Sequence, residues 1–152
     1  MKEKIIEVKN LHVSFDTYAG EVQAIRDLSF TVHRGETLAI VGESGSGKSV
    51  TVQTIMKLIP MPPGRIKSGE IIFEGTDLVK ASPKKMRELR GGKIGMIFQD
   101  PMTSLNPTMK IGKQIMEGIL QHKKVNKTEA KKLALDMLEK VGIPKPKERF
   151  NQ

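Results

Sequence analysis

The chain has 152 residues, enough for a domain with a core of its own; 38% are hydrophobic, 28% are charged, and the formal charge is +9. No apolar run approaches the roughly 20 residues a membrane helix needs, and the segment Met1-Lys2-Glu3-Lys4-Ile5-Ile6-Glu7 does not read as a secretory leader. The lack of cysteine excludes disulfides and thiolate metal sites and fits a cytoplasmic protein; 4% aromatics without tryptophan argue against a base-stacking nucleic-acid platform, so the scattered lysines read as solvated faces.

In chain order, residues 5–15 are rich in Ile and Val and predict a strand, residues 16–21 a turn, and residues 22–32 a second β segment closed by His33-Arg34-Gly35-Glu36. Residues 37–41, Thr-Leu-Ala-Ile-Val, predict a short buried strand. Residues 50–59 predict a helix with Val52, Ile55, Met56 and Ile59 on its apolar side, stopped by Pro60, Pro62, Pro63 and Gly64. A short strand is expected over 69–75. Ser82-Pro83 opens a helix through Leu89, Gly91-Gly92 breaks it, and residues 94–98 predict another buried strand. Beyond Pro107 the texture is helical. Residues 109–122 carry Ile111, Ile115, Ile119 and Leu120 roughly on one face. Residues 126–141 place Ala130, Leu133, Ala134, Met137, Leu138 and Val141 at helical spacing; Asn126 and Glu129 resemble a capping box, and Gly142 and Pro144 end the helix.

Between the strand at 37–41 and the helix at 50–59 lies Gly42-Glu43-Ser44-Gly45-Ser46-Gly47-Lys48-Ser49, which satisfies G-x-x-x-x-G-K-[ST]. The chemistry of that pattern is direct. Glycines at 42, 45 and 47 let the backbone curl without Cβ clashes, so that N–H groups from Gly42 through Val50 converge on phosphate oxygens. The following helix points its positive end at the same place. Lys48 reaches terminal phosphates as a point charge, and the Ser49 hydroxyl suits Mg²⁺.

Four stretches together resemble the ATP-binding subunit of ATP-binding-cassette (ABC) transporters, in its oligopeptide/dipeptide/nickel importer branch. They are Gly35 to Ser49 (GETLAIVGESGSGKS), Ser68-Gly69-Glu70-Ile71-Ile72-Phe73, Ile97-Phe98-Gln99-Asp100-Pro101, and Met102-Thr103-Ser104-Leu105-Asn106-Pro107. The resemblance covers essentially the whole chain. It implies an α/β P-loop NTPase core with an antiparallel β subdomain over 1–108 and the beginning of a helical subdomain over 109–152. It implies ATP and Mg²⁺ as cofactors. Gln99 would contact Mg²⁺ and the attacking water, in a loop that senses the transmembrane subunit; an amide can donate and accept at once without acting as a base. An aromatic would stack on adenine, Phe15 first and Tyr18 second. The implied partners are transmembrane permease subunits, a second ATP-binding subunit and, indirectly, a solute-binding protein, at the cytoplasmic face of the cell membrane. Peptide is the first expectation for the solute and nickel the next.

The chain departs from the family pattern in one respect. The signature motif, the second acidic strand motif and the switch histidine are not found; Asp100 sits inside the Gln99 motif, and His12, His33 and His122 are in other contexts. The expectation is therefore the N-terminal part of an ATPase domain, truncated, catalytically incomplete alone, with an unpaired side on the strand at 37–41 and exposed apolar faces. Such a piece is expected to be marginal, aggregation-prone or assembled with a partner. Two alternatives are a non-catalytic nucleotide- or polyanion-binding fragment and another P-loop GTPase or kinase. For the latter, Asn126-Lys127-Thr128-Glu129 resembles the guanine-reading Asn-Lys-x-Asp but ends in Glu.

Overall fold

The structure, a computed structural model, describes residues 2–100 and 104–152. Pro101, Met102 and Thr103, parts of the third and fourth resembling stretches, lie outside the described residues. The chain forms two compact units, Met1–Arg87 and Glu88–Gln152.

The first unit is built on an antiparallel sheet. Strands β1 (Lys4–Thr17), β2 (Gly20–His33), β3 (Gly64–Phe73) and β4 (Thr76–Asp77) lie in the order β2-β1-β3-β4. β1 and β2 form a hairpin in which Thr17 pairs with Gly20 across Tyr18-Ala19, and the Thr17 hydroxyl donates to the Gly20 carbonyl at 2.7 Å. β3 starts at Gly64, five residues before the expected 69, because its first half pairs with β1 from Ser14 and Phe15 back to His12. Asn10 and Asp27 sit at φ 45° and 50° within the strands, and the Asn10 amide donates to Asp27 Oδ1 at 2.8 Å. That irregularity presses on β3. A Cβ at Gly69 would lie 2.6 Å from the carbonyls of Lys9 and Asn10, so this position of the Ser68-Gly69-Glu70 stretch has room only for hydrogen. The core beneath the sheet holds Val8, Leu11, Val13, Ile25, Ile71, Phe73, Leu78 and Met86, all buried, with Ile55, Met56 and Ile59 from the chain after the glycine-rich loop.

Helix α1 (Lys48–Ile55) is shorter than the expected 50–59 at its C-terminal end, closing at Met56 with Lys57 at φ 47°. Its buried face is Thr51, Thr54 and Ile55, while Val52 is exposed. Threonine can occupy that face because each hydroxyl satisfies itself on the preceding turn: Thr51 Oγ1 donates to the Gly47 carbonyl (2.9 Å) and Thr54 Oγ1 to the Val50 carbonyl (2.6 Å). Helix α2 (Pro83–Leu89) starts as expected, with the Ser82 hydroxyl accepting from the Lys85 N–H at 3.2 Å.

Two expected buried strands are absent. Residues 37–41 form no ladder, and Leu38, Ile40 and Val41 are exposed, Val41 to 89%. Residues 94–98 make a single bridge, Arg90 with Ile94, and Ile97 is 99% exposed. Both segments are apolar on successive residues, the pattern of a strand covered on both faces. Such a strand gains nothing from burial without neighbours on both edges, and the described residues supply none.

The second unit is helical: α3 (Ile111–His122), α4 (Lys127–Lys140) and α5 (Pro146–Phe150). α4 follows its predicted limits. Asn126 Oδ1 accepts from the Glu129 N–H at 2.9 Å, and at the other end Gly142 (φ 74°) lets its own N–H and that of Ile143 close on the Glu139 and Leu138 carbonyls. The buried stripe of α4 is narrower than expected: Ala130, Ala134 and Leu138, with Met137 and Val141 exposed. Leu120 on α3 is also exposed. The small alanines let α4 approach closely, and Phe150 of α5 fills the space beside Ile119. A Cβ on Gly112 would collide with the Phe150 ring. Gly112→Ala is therefore expected to destabilise this unit by about 1–3 kcal/mol, the usual cost of overpacking. Urea unfolding followed by circular dichroism checks it; an unchanged midpoint refutes the ring-on-glycine packing.

Candidate functional site

The glycine-rich loop is anchored at both ends. Before it, the Glu36 carboxylate accepts from the His33 N–H (2.6 Å) and lies 2.9 Å from His33 Nδ1, ending β2. The His33 backbone N–H, and then its side chain, hold the Glu36 carboxyl below its ordinary pKa. After the loop, α1 packs on β2 through one contact that only glycine permits. β2 carries an extra residue, Ala24, between the pairs Val13–Ile25 and Ser14–Gln23. A Cβ on Gly47 would lie 2.6 Å from the Ala24 carbonyl oxygen, and Gly47 has φ 88°. Gly45 is also left-handed, at φ 83°, and a Cβ at Gly42 would meet the Ser46 Oγ at 2.5 Å. Backbone angle thus accounts for Gly45, and angle and space together for Gly47; at Gly42 the close atom is a serine hydroxyl that can rotate away.

The loop's polar groups are arranged for an anion. Gly47 is the N-cap of α1 and has no side chain to cap it, and the first turn carries no acidic residue. The N–H groups of Lys48, Ser49 and Val50 open a helix and so have no intrahelical acceptor. Lys48 arches back over the loop and donates to the carbonyls of Gly42 (2.7 Å) and Glu43 (2.6 Å). Ser44 and Ser49 are exposed, and the Ser46 N–H closes a turn on the Glu43 carbonyl at 3.2 Å. An ammonium held by neutral carbonyls beside unpartnered helix N–H groups fits a triphosphate: a phosphate oxygen is the stronger acceptor for both.

The two aromatic candidates stand differently. Phe15 is half-buried near the end of β1, paired with Val22 and Gly64. Tyr18 is fully exposed at the hairpin tip. Around the hairpin, Arg65 contacts Asp16 (2.9 Å) and Glu21 (3.4 Å), and Lys67 donates to Glu21 at 3.0 Å. The Ser14 hydroxyl, then Lys67 and Arg65, hold the Glu21 carboxyl below the usual range. Gln99 is exposed and belongs to the second unit.

Some features escaped sequence reasoning. Asn106 and Gln114 latch the loop before α3: Gln114 Nε2 donates to the Asn106 and Met109 carbonyls at 2.9 Å, and its Oε1 accepts from the Asn106 N–H at 2.9 Å. A glutamine one turn into a helix behind an Asn-Pro pair is the only signal for it. The Ala24 contact has none, since nothing local marks the partner of a distant glycine. Asn126, the resemblance to a guanine-reading residue, is occupied as the α4 cap.

The sequence profile described as ABC transporter matches residues 25–152. The chain is 66% identical over 149 residues to the oligopeptide transport ATP-binding protein OppD of Bacillus subtilis (strain 168), covering 98% of this chain and 42% of that protein. It is 55% identical over 150 residues to the dipeptide transport ATP-binding protein DppD of the same organism, covering 99% of this chain and 45% of the relative. The chain thus spans less than half the length of these relatives. Among solved structures, the dimeric bacterial ABC transporter cassette MJ0796 superposes with a TM-score of 0.80 at 21% identity, over 97% of this chain and 61% of that one. A post-hydrolysis state of the same cassette, bound to ADP and Pi, gives 0.78. The profile match over residues 25–152 shows the family: this chain belongs to the ABC transporter ATP-binding family.

Proposed function

We propose that the chain is the ATP-binding part of the motor subunit of an ABC importer that takes up oligopeptides or dipeptides. Residues 1–108 form its ATP-binding core with the antiparallel β subdomain, and 109–152 begin its helical subdomain. The observation that carries the reading is the loop itself: left-handed Gly45 and Gly47, unpartnered N–H groups at the start of α1, and Lys48 arched over them. The backbone of Gly42, Glu43, Ser44, Gly45, Ser46, Gly47, Lys48, Ser49 and Val50 holds the phosphates. Lys48 exchanges its two carbonyl acceptors for phosphate oxygens. Phe15 supplies the adenine platform, with Tyr18 the second candidate.

On the loop itself Ser49 would hold Mg²⁺, which when bound neutralises charge on the phosphates. Gln99 orients the attacking water through an amide that donates and accepts together. The branch follows from the 66% and 55% identical relatives, whose names specify oligopeptide and dipeptide transport. The partners are transmembrane permease subunits, a second ATP-binding subunit and, through the permease, a solute-binding protein. The motor sits on the cytoplasmic face of the membrane.

Two measurements test this. The purified protein is expected to bind ATP at least as tightly as GTP; a tenfold preference for GTP, about 1.4 kcal/mol, would favour the GTPase reading instead. In cells lacking their own peptide-importer motor subunit, the protein carrying this chain is expected to restore uptake of a labelled tripeptide. Restoration of nickel uptake alone reassigns the solute.

A further inference from the structure

We propose that Gly64 is a positioning residue for the adenine platform: its missing side chain is the seat against which the Phe15 ring rests. The inference rests on the reading of Phe15 given above. A Cβ on Gly64 would lie 3.1 Å from Phe15 Cε1, 2.9 Å from the Pro60 carbonyl oxygen and 3.5 Å from Ile59 Cδ1. Gly64 is buried, and its φ lies outside the left-handed region, so the backbone angle does not require glycine there. What requires it is room, and the ring is one of the groups that take the room.

The seat is held in place by its surroundings. Gly64 is the direct cross-strand partner of Phe15. Its N–H donates to the Pro60 carbonyl at 3.0 Å, closing the proline-rich turn that stops the chain after α1. The next residue of β1, Asp16, donates its N–H to the Pro63 carbonyl at 3.0 Å, and its carboxylate meets Arg65 Nη2 at 2.9 Å. The turn therefore grips β1 immediately after Phe15. On the opposite side Phe15 pairs with Val22. Ala24, whose carbonyl oxygen fixes Gly47, lies two residues further along β2, about 7 Å away by strand rise. Phe15 thus pairs with the same strand that carries the Gly47 contact, two residues along from it. Alanine at position 64 crowds both the Pro60 carbonyl oxygen and the ring, so the ring shifts together with the turn, and neither group belongs to Gly42 to Ser49.

The test separates base from phosphate. Titration calorimetry with Mg-ATP and with inorganic tripolyphosphate is carried out on the parent protein, Phe15→Ala, Gly64→Ala and the double variant. Phe15→Ala is expected to lose about ten- to a hundredfold in ATP affinity, the scale of one base–aromatic stack, with tripolyphosphate unchanged. Gly64→Ala is expected to lose between about threefold and that full amount for ATP, again with tripolyphosphate unchanged. The double variant relieves the ring contact and keeps the one with the Pro60 carbonyl oxygen; it is expected to match Phe15→Ala for ATP and the parent for tripolyphosphate, with a thermal melt of each variant reading the separate cost at the turn. If Phe15→Ala leaves ATP affinity unchanged, the platform reading fails and the seat with it. If Phe15→Ala behaves as expected but Gly64→Ala binds ATP normally, or the double variant binds tripolyphosphate more weakly than the parent, only the seat is overturned.

Discussion

Lys48→Ala is expected to weaken ATP binding by about ten- to a hundredfold or more. A hydrogen bond to a charged group is worth about 1.5–3 kcal/mol net, and 1.4 kcal/mol is one decade of affinity. Lys48 is placed to make more than one such bond. Its ammonium already spans the Gly42 and Glu43 carbonyls at 2.7 and 2.6 Å, at the mouth of the unpartnered helix N–H groups. The same bonds tie the loop to itself, so the substitution also loosens the loop. The two effects are separable: loss of charge weakens tripolyphosphate as strongly as ATP, whereas loop loosening shows as a lower melting temperature. Calorimetric titration of both ligands, beside a thermal melt, makes the distinction. ATP affinity within twofold of the parent value would remove the phosphate-loop reading altogether.

Gly47→Ala is expected to cost about 2–4 kcal/mol of stability in the strand-rich unit and to abolish phosphate binding. Two terms add. A left-handed residue with a Cβ carries about 1–2 kcal/mol of strain, and Gly47 has φ 88°. The new Cβ would also stand 2.6 Å from the Ala24 carbonyl oxygen, a backbone atom that no rotamer change can move aside. Either α1 shifts off β2 or the bulge at Ala24 rearranges, and both displace the helix end that faces the phosphates. Gly45→Ala supplies the control. It has nearly the same φ, 83°, with nothing within 4 Å of its Cβ, so strain alone is expected, about 1–2 kcal/mol. Urea denaturation of the two variants gives the difference directly. Equal shifts would sink the Ala24 contact.

The elements that local chemistry determines were legible in the sequence. α4 has a side-chain cap at Asn126, a 3.6-residue apolar period and Gly142 beyond its end, and it forms within one residue of its expected limits. The start of α2 at Ser82-Pro83 and the β1–β2 hairpin were legible for the same reason. What misled was apolar content without partners. Residues 37–41 and 94–98 have the composition of central strands, but a strand's stability resides in its neighbours' hydrogen bonds, and composition does not say whether the neighbours are present. In helices, period alone overestimates the buried width: Val52, Met137 and Val141 fit the period yet lie exposed.

By itself the sequence determined the loop's chemistry, since Gly-x-x-x-x-Gly-Lys-Ser carries its φ requirements, its cation and its helix start within eight consecutive residues. It also determined the family, through motifs that are local in the chain. Only the tertiary structure decided where that loop is held. Ala24 against Gly47, Gly64 against Phe15 and Phe150 against Gly112 join positions 23, 49 and 38 residues apart. A glycine's local sequence reports that a side chain is missing; which atom takes the space depends on strand pairing and helix packing, and those are set by the fold as a whole.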